Sequence, residues 1–407
     1  MTLKVDGDRL EKALREMGEV GAAPSGGVSR LALSDADREA RDLLVSWFRE
    51  LDLEVKVDLI GNIFATRRGR ENSEPVMMGS HIDTVKDAGI FDGALGVLGA
   101  LETMRALDDA DVETVRPVTA AVFTNEEGAR FQPDMMGSMV YAGELGVEEA
   151  YASSDDDGVT VKQELDRIGY RGDDSLMPSC YLELHVEQGP VLHSTRHRIG
   201  VVEGVQGIAW WHGCYLGQAN HAGTTPLELR RDALLGASDL NVRLRSLAEE
   251  MGEASVATMG RLSPSPDVIN VVPGRADFTL DFRQYALRLF TEGKSRVEAL
   301  VQEVAERHKL VWSLRQSADA QPVRFDTAMV DLVESKAREL GLSNMRMPSG
   351  AGHDAQFISH VCPTAMIFVP SIDGRSHCPE ELTSFIDCEN GANMLLECVQ
   401  QLAGCRL

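Results

Sequence analysis

Apolar and polar positions alternate along the chain in two rhythms, one typical of helices and one typical of strands. Downstream of Ser34, apolar residues recur at the three- and four-residue spacing of a helix, at Leu43, Leu44, Trp47, Phe48 and Leu51. The segment Ser34–Asp37 resembles a helix capping box with an aspartate in the acidic position. These features predict an amphipathic helix early in the chain.

Short apolar runs bounded by polar residues or glycine predict buried strands. The runs are Pro75–Gly79, Val118–Thr124, Tyr181–Val186 and Thr364–Val369. A further segment, Glu54–Thr66, alternates and is interrupted at Gly61-Asn62, as in a β-hairpin. Because continuous apolar runs are typical of strands that are covered on both faces, we expect an α/β fold with a mainly parallel central sheet flanked by helices.

The middle of the chain shows a different order of elements. Its pattern predicts strand Ile208–Leu216, helix Leu229–Met251, strand Ser255–Leu262, strand Arg275–Arg283, helix Leu287–His308 and strand Leu310–Leu314. This β-α-β-β-α-β order is typical of a small α+β layer that packs by itself. We therefore expect residues 207–317 to form a second domain, inserted between the two parts, 1–206 and 318–407, of a larger one.

Composition excludes several classes of partner. The 407 residues include 64 Asp and Glu against 40 Lys and Arg, which gives a formal net charge of -24. This negative charge repels nucleic acid and anionic membrane surfaces, so neither is expected as a partner. Residues 1–20 carry charges throughout and the longest apolar runs are strand-sized, which predicts a cytoplasmic protein. The seven cysteines include no Cys-x-x-Cys pair, and we expect reduced thiols.

Candidate metal ligands are scattered over most of the sequence, and several follow predicted strands. They are His81, Asp92, Glu127, His185 and His377, with Glu126 directly before Glu127. Ligands bind at the carboxyl edge of open α/β sheets. A mixture of imidazole and carboxylate is what two divalent cations need in order to polarise a carbonyl and ionise a water. The set indicates a metallohydrolase.

Taken singly, these signals are modest. Asp83 could accept the second ring proton of His81, but an isolated His-x-Asp is more often a core or surface histidine. Asp92 could bridge two cations with its two oxygens, and glycines beside it would let the backbone approach an ion, yet Asp-Gly is equally typical of a turn. Glu126 and Glu127 would repel one another unless cations or protons intervene. One of them would then bind a cation while the other carries a proton.

Eight segments carry these residues and several other polar ones. They are Gly79–Thr84, Phe91–Val97, Phe123–Phe131, Glu183–Pro190, Asn220–Pro226, Asn270–Arg283, Gly350–Gln356 and Met366–Glu380. In this order they resemble the successive motifs of the hydantoinase/carbamoylase branch of the M20 metallopeptidases. That branch includes N-carbamoyl-L-amino-acid hydrolases and allantoate amidohydrolases. The resemblance extends from about residue 10 to the C-terminus.

The resemblance implies two divalent metal ions per subunit, which would be zinc, manganese, cobalt or nickel. It implies that His81 and Glu127 are terminal ligands on different metals, that Asp92 bridges the metals, and that His185 and His377 complete the set. Glu126 would be the general base, which takes a proton from the attacking water and passes it to the leaving nitrogen. Asp83 would orient His81.

The resemblance also assigns substrate contacts, mostly to the inserted domain, which would be a lid and dimerisation domain in a homodimer. His221 would stabilise the oxyanion, and it would reach the site either from the same subunit or from a partner subunit. Asn270 and Arg283 would hold the substrate carboxylate, to which a guanidinium donates two parallel bonds. Gln188 and the backbone around Gly352 would complete the cradle.

Two departures from the family pattern affect this cradle. The family often has an acidic residue two or three positions after the position of Arg283, where this chain has the uncharged segment Gln284–Ala286. This raises the question of what supports the guanidinium. A Gly-Gly pair is common upstream of the bridging aspartate, where this chain reads Asp87–Ile90 without one. That change would reshape the pocket wall.

The activity implied by the resemblance is hydrolysis of the ureido C–N bond of an N-carbamoyl-L-amino acid to the amino acid, carbon dioxide and ammonia. Alternatives on the same site are an allantoate amidohydrolase and an N-acyl-L-amino acid amidase. A non-catalytic binding protein with a relic site is a hypothesis of another class, and the presence of Glu126 with all five ligands argues against it. The residues that would clamp a carboxylate suit a small free acid and disfavour an aminopeptidase.

Overall fold

The computed structural model describes residues 3–252 and 255–405, and the chain divides into two compact units. The large unit comprises Met1–Gly204 and Phe325–Leu407, and the inserted unit comprises Val205–Arg324. The predicted limit at residue 317 falls inside a strand that ends at Ala320. The roles of the inserted unit as lid and dimerisation domain stay a prediction.

The described residues form strands and helices throughout both units. The strands are β1 (Glu54–Val57), β2 (Ile63–Arg67), β3 (Val76–His81), β4 (Val118–Phe123), β5 (Cys180–Val186), β6 (Ile199–Val205), β7 (Gly207–Leu216), β8 (Asn220–His221), β9 (Val256–Ser265), β10 (Val271–Val272), β11 (Arg275–Gln284), β12 (Val311–Ala320), β13 (Val323–Arg324), β14 (Asn344–Ser349) and β15 (Thr364–Val369). The helices are α1 (Gly7–Glu19), α2 (Asp35–Glu50), α3 (Ala94–Asp109), α4 (Met136–Ala142), α5 (Val147–Ala152), α6 (Val161–Ile168), α7 (Val191–Thr195), α8 (Ala233–Met251), α9 (Leu287–Arg307), α10 (Thr327–Glu339), α11 (Asp354–Ile358) and α12 (Phe385–Ala403). Short 3-10 helices lie at Leu227–Leu229 and Ile372–Gly374.

The central sheet of the large unit follows the order β1-β2-β4-β3-β5-β15-β6, and β14 also pairs with β6. Its centre is parallel, since β3 pairs in parallel with β4 and β5, and β5 with β15. The flanking strands β1, β2 and β6 are antiparallel to their neighbours. Helices α3 and α12 pack against the central strands, whose residues are all buried. The predicted α/β class is confirmed.

The N-terminal cap of α2 matches the predicted capping box only in part. Ser34 accepts a hydrogen bond from the Asp37 N–H at 3.2 Å, as predicted. The Asp37 carboxylate does not return the bond to Ser34; it accepts from the Leu33 N–H and from the Arg41 guanidinium, at 2.7 and 2.9 Å. Aspartate is one methylene shorter than the glutamate of a capping box, and Arg41, four residues on, draws it into a buried ion pair.

The inserted unit contains a four-stranded antiparallel sheet in the order β12-β7-β11-β9 and a two-stranded ribbon of β8 and β10. Alternate residues of β11 are buried, which leaves one face of the sheet for helices α8 and α9 to cover. Aromatic rings fill this core, and Phe278 lies opposite Gly213 of β7. A Cβ at Gly213 would lie 2.2 Å from the Phe278 ring, so the glycine makes room for it.

Within residues 3–252 and 255–405, no helix combines the length and the apolar character that crossing a bilayer requires. All seven cysteines lie among the described residues, and none of them forms a disulfide there.

Candidate metal centre

The predicted ligands meet at the carboxyl edge of the parallel strands in the large unit. His81 ends β3, His185 is the penultimate residue of β5, and Glu127 follows β4 after a short turn. His377 lies in the loop between β15 and α12, and Asp92 lies just before α3. The α/β topology therefore brings together five side chains that are up to 296 positions apart in the sequence.

Asp92 lies at the centre of this group. Its Oδ1 is 3.2 Å from His185 Nε2 and 3.7 Å from His81 Nε2. Its Oδ2 is 3.3 Å from His377 Nε2, which in turn is 3.3 Å from Glu127 Oε2. Two ligand sets result, His81 with Asp92 and His185, and Asp92 with Glu127 and His377. They share Asp92, which turns one oxygen toward each set.

The donor atoms fit divalent cations. The Nδ1 atoms of His81 and His185 each lie 2.9 Å from a backbone carbonyl, of Asp83 and Val186 respectively, to which they must donate a proton. In the neutral imidazoles, both Nε2 atoms are therefore unprotonated lone-pair donors. Against burial, which lowers it, the Asp92 carboxylate raises the pKa of His185 to about 9, so a cation at that ring would displace a proton. Among the described residues, His81 Nε2 and Glu127 Oε1 are buried without a hydrogen-bond partner. Buried polar atoms of this kind are where a bound cation would be expected.

The electrostatics of the site also favour cations. Burial lowers the pKa of His81 to about 4, which keeps its ring neutral and free to bind metal. Burial, followed by the charges of neighbouring carboxylates, raises the pKa of Glu126 and Glu127 well above the usual range. Buried carboxylates crowded in this way repel one another, and divalent cations between them would relieve the repulsion.

Asp83 contacts the site differently from the prediction. Its backbone carbonyl, rather than its carboxylate, accepts the His81 ring proton; the nearest carboxylate oxygen is 3.8 Å from His81 Nδ1. The carboxylate instead accepts the N–H groups of Glu126 and Glu127, at 3.2 and 3.3 Å. Asp83 lies in the segment that follows β3, where its backbone faces the His81 ring and its side chain faces the loop after β4. Asp83 thus positions three site residues.

The glycine after Asp92 makes room for a ligand as well as for the turn. Gly93 has φ +62°, in the left-handed region that favours glycine, and a Cβ there would lie 2.4 Å from His81 Nε2. Gly96 lets α3 approach β5, since a Cβ would lie 2.4 Å from the Leu184 carbonyl oxygen. The sequence predicts that glycines beside Asp92 let the backbone approach an ion. In the structure, Gly93 leaves space for the His81 imidazole and Gly96 leaves space for β5.

Glu126 lies beside the two ligand sets without belonging to either. Its Oε2 is 3.4 Å from His81 Nε2, and about a tenth of the side chain is exposed. Asn125 before it has φ +56° and donates from Nδ2 to the Phe131 and Pro133 carbonyls, at 2.9 and 3.1 Å. This left-handed residue turns the chain at the end of β4, a strained conformation that is often found at functional sites.

Two predicted substrate contacts lie in the large unit. Gln188, with φ +57°, donates from Nε2 to Asp92 Oδ2 at 2.8 Å. The structure thus brings this side chain onto the shared carboxylate. Gly352 lies in the loop between β14 and α11, where a Cβ would lie 2.8 Å from the terminal methyl of Met135.

The other predicted substrate contacts lie in the inserted unit. His221 and Asn270 are exposed, and both belong to the ribbon of β8 and β10 or its immediate end. The Asn270 carbonyl accepts the Ala222 N–H at 2.9 Å. The His221 Nδ1 accepts the N–H groups of Gly223 and Thr224, at 3.0 and 3.2 Å. Since Nδ1 accepts, Nε2 carries the ring proton and is a hydrogen-bond donor.

Arg283 of β11 pairs with a carboxylate that precedes it in the sequence, whereas the family pattern often places an acidic residue after it. Its Nε and Nη2 donate to the carboxylate of Asp281, with the Nη2 to Oδ2 distance at 2.9 Å. Residues two apart in a strand share a face, so Asp281 lies beside the guanidinium. The support therefore precedes Arg283 in the strand, whereas the uncharged residues at 284–286 follow it.

Several residues that surround the ligands cannot be identified from single motifs. Glu183, two residues before His185 on the same side of β5, accepts the Ser80 hydroxyl and the Ala355 N–H, at 2.7 and 2.8 Å. The His353 ring lies edge-on to that of His185, with centroids 4.5 Å apart. Strand alternation from His185 could have indicated Glu183. Nothing in the local sequence around His353 indicates its neighbour.

Comparison with known proteins identifies the family of the chain. The model of the peptidase family M20/M25/M40 matches residues 77–401. The chain belongs to the M20 family. The N-carbamoyl-L-amino-acid amidohydrolase of Rhizobium meliloti is 38% identical over 404 residues, covering 98% of this chain and 97% of that protein. The allantoate amidohydrolase of Escherichia coli (strain K12) is 32% identical over 400 residues, covering 97% of each.

Solved structures identify the branch of the M20 family. The crystal structure of an amidase of the hydantoinase/carbamoylase family from Burkholderia multivorans is 42% identical, superposes with a TM-score of 0.98 and is covered over 99% of both chains. The resemblance to this branch is confirmed. The chain is accordingly an enzyme, an amidohydrolase of the M20 family. M20 enzymes are generally metal-dependent, and the described residues include three groups that could hold a metal ion: the two sets that share Asp92, and Glu183 with His185 and His353.

Proposed function

We propose that this M20 enzyme hydrolyses the ureido C–N bond of an N-carbamoyl-L-amino acid and releases the amino acid, carbon dioxide and ammonia. The observation that carries the proposal is the pair of ligand sets that share Asp92, with Glu126 beside them and outside both. The name of the Rhizobium meliloti relative, which aligns over nearly the whole chain, supports the choice of substrate class.

Two divalent cations, drawn from zinc, manganese, cobalt and nickel, would bind one in each set. His81, His185 and Asp92 would hold the first, and Asp92, Glu127 and His377 the second. When bound, they supply Lewis-acid polarisation of the carbonyl and a lower pKa for water. The hydrogen bonds from both Nδ1 atoms to backbone carbonyls fix the ligand tautomers in advance.

Glu126 moves the proton. Its Oε2 takes a proton from the attacking water and then gives it to the leaving nitrogen, which departs as ammonia and leaves an N-carboxy amino acid that loses carbon dioxide to give the free amino acid. Its position outside both ligand sets leaves the carboxylate free for this exchange.

Substrate recognition falls to the inserted unit and to two residues of the large unit. Arg283 donates its fork of N–H groups to the substrate carboxylate, while Asp281 holds the guanidinium in orientation. His221 donates from Nε2 to the oxyanion, and Asn270 joins the carboxylate clamp. Gln188 and the backbone at Gly352 complete the cradle. We also propose that the enzyme is a homodimer in which the inserted unit serves as the lid.

A second candidate is allantoate, whose two ureido groups suit the same chemistry. The Escherichia coli relative, 32% identical over nearly the whole chain, favours it. Because both substrates present a carboxylate and a ureido carbonyl, the metal centre alone does not distinguish them, and the side chains that line the rest of the pocket decide.

A substrate panel on metal-reconstituted enzyme tests the proposal. The protein would be stripped with a chelator and reloaded separately with zinc, manganese, cobalt or nickel. Ammonia and amino acid release would be measured for N-carbamoyl-L-amino acids, their D enantiomers, allantoate, N-acyl-L-amino acids and dipeptides. We expect the highest kcat/KM for an N-carbamoyl-L-amino acid. A higher value for allantoate would establish the second candidate, and no turnover of any ureido substrate would overturn both.

A further inference from the structure

Glu381 is a buried carboxyl that the proposed reaction does not use. Its residue is 5% exposed, and it lies four positions after His377 in the segment that precedes α12. Its Oε1 accepts the N–H groups of Phe91 and Asp92, at 3.1 and 3.2 Å. This carboxyl therefore holds the backbone of the shared ligand across 289 positions of sequence.

The second oxygen of Glu381 holds the loop that carries His377. The Ser376 hydroxyl lies 2.9 Å from Glu381 Oε2 and 3.1 Å from Asp92 Oδ2. Ser376 directly precedes His377, which adopts φ +55°. The side chain of His377 is 49% exposed, whereas those of the other four ligands are at most 4% exposed. His377 is thus the ligand that surrounding packing fixes least, and its loop is the one that Glu381 ties to Asp92.

Gly89 provides the space that Glu381 occupies. A Cβ at Gly89 would lie 2.4 Å from Glu381 Oε1, 2.5 Å from its Cβ and 2.6 Å from its Cδ. The φ angle of Gly89 lies outside the left-handed region, so an alanine there meets the Glu381 side chain without backbone strain. The stretch upstream of Asp92 that departs from the family pattern is therefore shaped around this carboxyl.

We propose that Glu381 is a positioning residue that joins Asp92 to the His377 loop and so sets the geometry of the second cation site, formed by Asp92, Glu127 and His377. The inference rests on the proposed function, because it concerns the second of two cations. Ligands held by hydrogen-bonded neighbours lose less freedom when a metal binds. Without Glu381, two buried N–H groups lose their acceptor and Ser376 loses one of its two carboxylate contacts.

Manganese binding tests this role without relying on turnover. Stripped protein would be titrated with Mn²⁺ by equilibrium dialysis, and electron paramagnetic resonance would report whether the bound ions form a coupled pair. We expect wild type to bind two ions per subunit as a pair. In Glu381→Ala, affinity at one site should fall by about 10- to 100-fold and the pair signal should disappear at matched loading. Glu381→Gln keeps an oxygen acceptor for the two N–H groups, so its Mn²⁺ affinity should fall by less.

Gly89→Ala displaces the carboxyl without removing it and should lower affinity in the same direction as Glu381→Ala. Gly146→Ala is its control, since no atom of the described residues lies within 4 Å of that Cβ. Glu102→Ala is the control for loss of a buried carboxyl, because Glu102 is 1% exposed and accepts the Asp6 N–H and the Arg9 guanidinium. Thermal unfolding of each variant would separate loss of fold from loss of metal.

The outcomes separate the two proposals. Wild type that binds fewer than two ions would overturn the proposed two-metal function, and the role of Glu381 with it. Wild type that binds a pair, together with folded Glu381→Ala and Gly89→Ala variants that bind the same pair at wild-type affinity, would overturn the role of Glu381 alone. An equal loss of affinity in Glu102→Ala would attribute the effect to general destabilisation and also overturn it. If Glu381→Ala does not fold, Gly89→Ala and Glu381→Gln decide.

Discussion

The two groups of site residues differ in how the chain holds them. In the large unit, the side chains of four of the five proposed metal ligands are buried, and His81 and His185 are fixed by backbone carbonyls. In the inserted unit, His221 and Asn270 lie exposed on a two-stranded ribbon. Interior packing fixes the first group, whereas the second group belongs to a surface. Metal binding and substrate binding should therefore respond to different mutations.

Glu126 should separate catalysis from metal binding most clearly, because it lies beside the proposed metal ligands but outside both ligand sets. Glu126→Gln should lower kcat by about 100- to 10,000-fold, because the amide cannot accept the proton of water. Bound metal and KM should change little. Kinetics on the preferred ureido substrate, with metal content measured on the same sample, would check this. Retention of most of the turnover would remove Glu126 from the proposed role.

A substitution in the core of the inserted unit should lower stability without changing metal affinity. Phe278→Ala should destabilise that unit by about 3–5 kcal/mol, because it empties the space that Phe278 fills opposite Gly213. Mn²⁺ affinity should stay at the wild-type value, since all five ligands lie in the other unit. Denaturant unfolding and equilibrium dialysis give the two readouts, with the exposed Val311→Ala as control. A matching loss of metal affinity would show that the two units are not independent.

His221 tests whether the exposed ribbon takes part in the chemistry. His221→Ala should lower kcat by about 100- to 1,000-fold, the usual effect of losing one donor to an oxyanion. The metal content should not change. His212→Ala, which removes another exposed histidine of the same unit, serves as the control. An unchanged kcat in His221→Ala would exclude the ribbon from transition-state stabilisation.

The smallest expected effect concerns the support of Arg283. Asp281→Asn should raise KM by about 5-fold and leave kcat unchanged, because the pair is partly exposed and solvent screens it. The same strand provides a matched control, because Arg275 and Asp277 are also two residues apart and form an ion pair, with Nη2 to Oδ1 at 2.6 Å. Asp277→Asn should leave KM at the wild-type value. Equal effects of the two substitutions would mean that Arg283 has no special part in binding.

Much of the large unit could be predicted from local pattern. The run Thr364–Val369 matches β15 at both ends, and Glu54–Thr66 forms the expected hairpin, with Val57 opposite Ile63. Apolar runs identify buried strands because burial on both faces leaves no polar alternation. The helix predicted from Leu229 begins instead at Ala233, where Asp232 provides the cap. Residues Leu227–Leu229 form a separate 3-10 turn, which apolar spacing alone does not distinguish from a helix.

The candidate site shows the limit of local reasoning. Each of the five ligands lies in a motif of its own, so sequence could nominate all of them. Their hydrogen-bond partners could not be found in this way, because they are set by contacts across the fold. The Asp83 carbonyl rather than its carboxylate contacts the His81 ring, and the Glu381 carboxyl contacts the backbone of Asp92 from 289 positions away. Only the topology reveals such pairs.

The inserted unit interrupts the large unit between His185 and His377, and this has a consequence for biogenesis. The side chains of the first ligand set, His81, Asp92 and His185, are translated before the inserted segment begins. The second set waits for His377, which leaves the ribosome only after that whole segment has been made. A nascent chain therefore cannot assemble the proposed second cation site until the whole inserted segment has been synthesised.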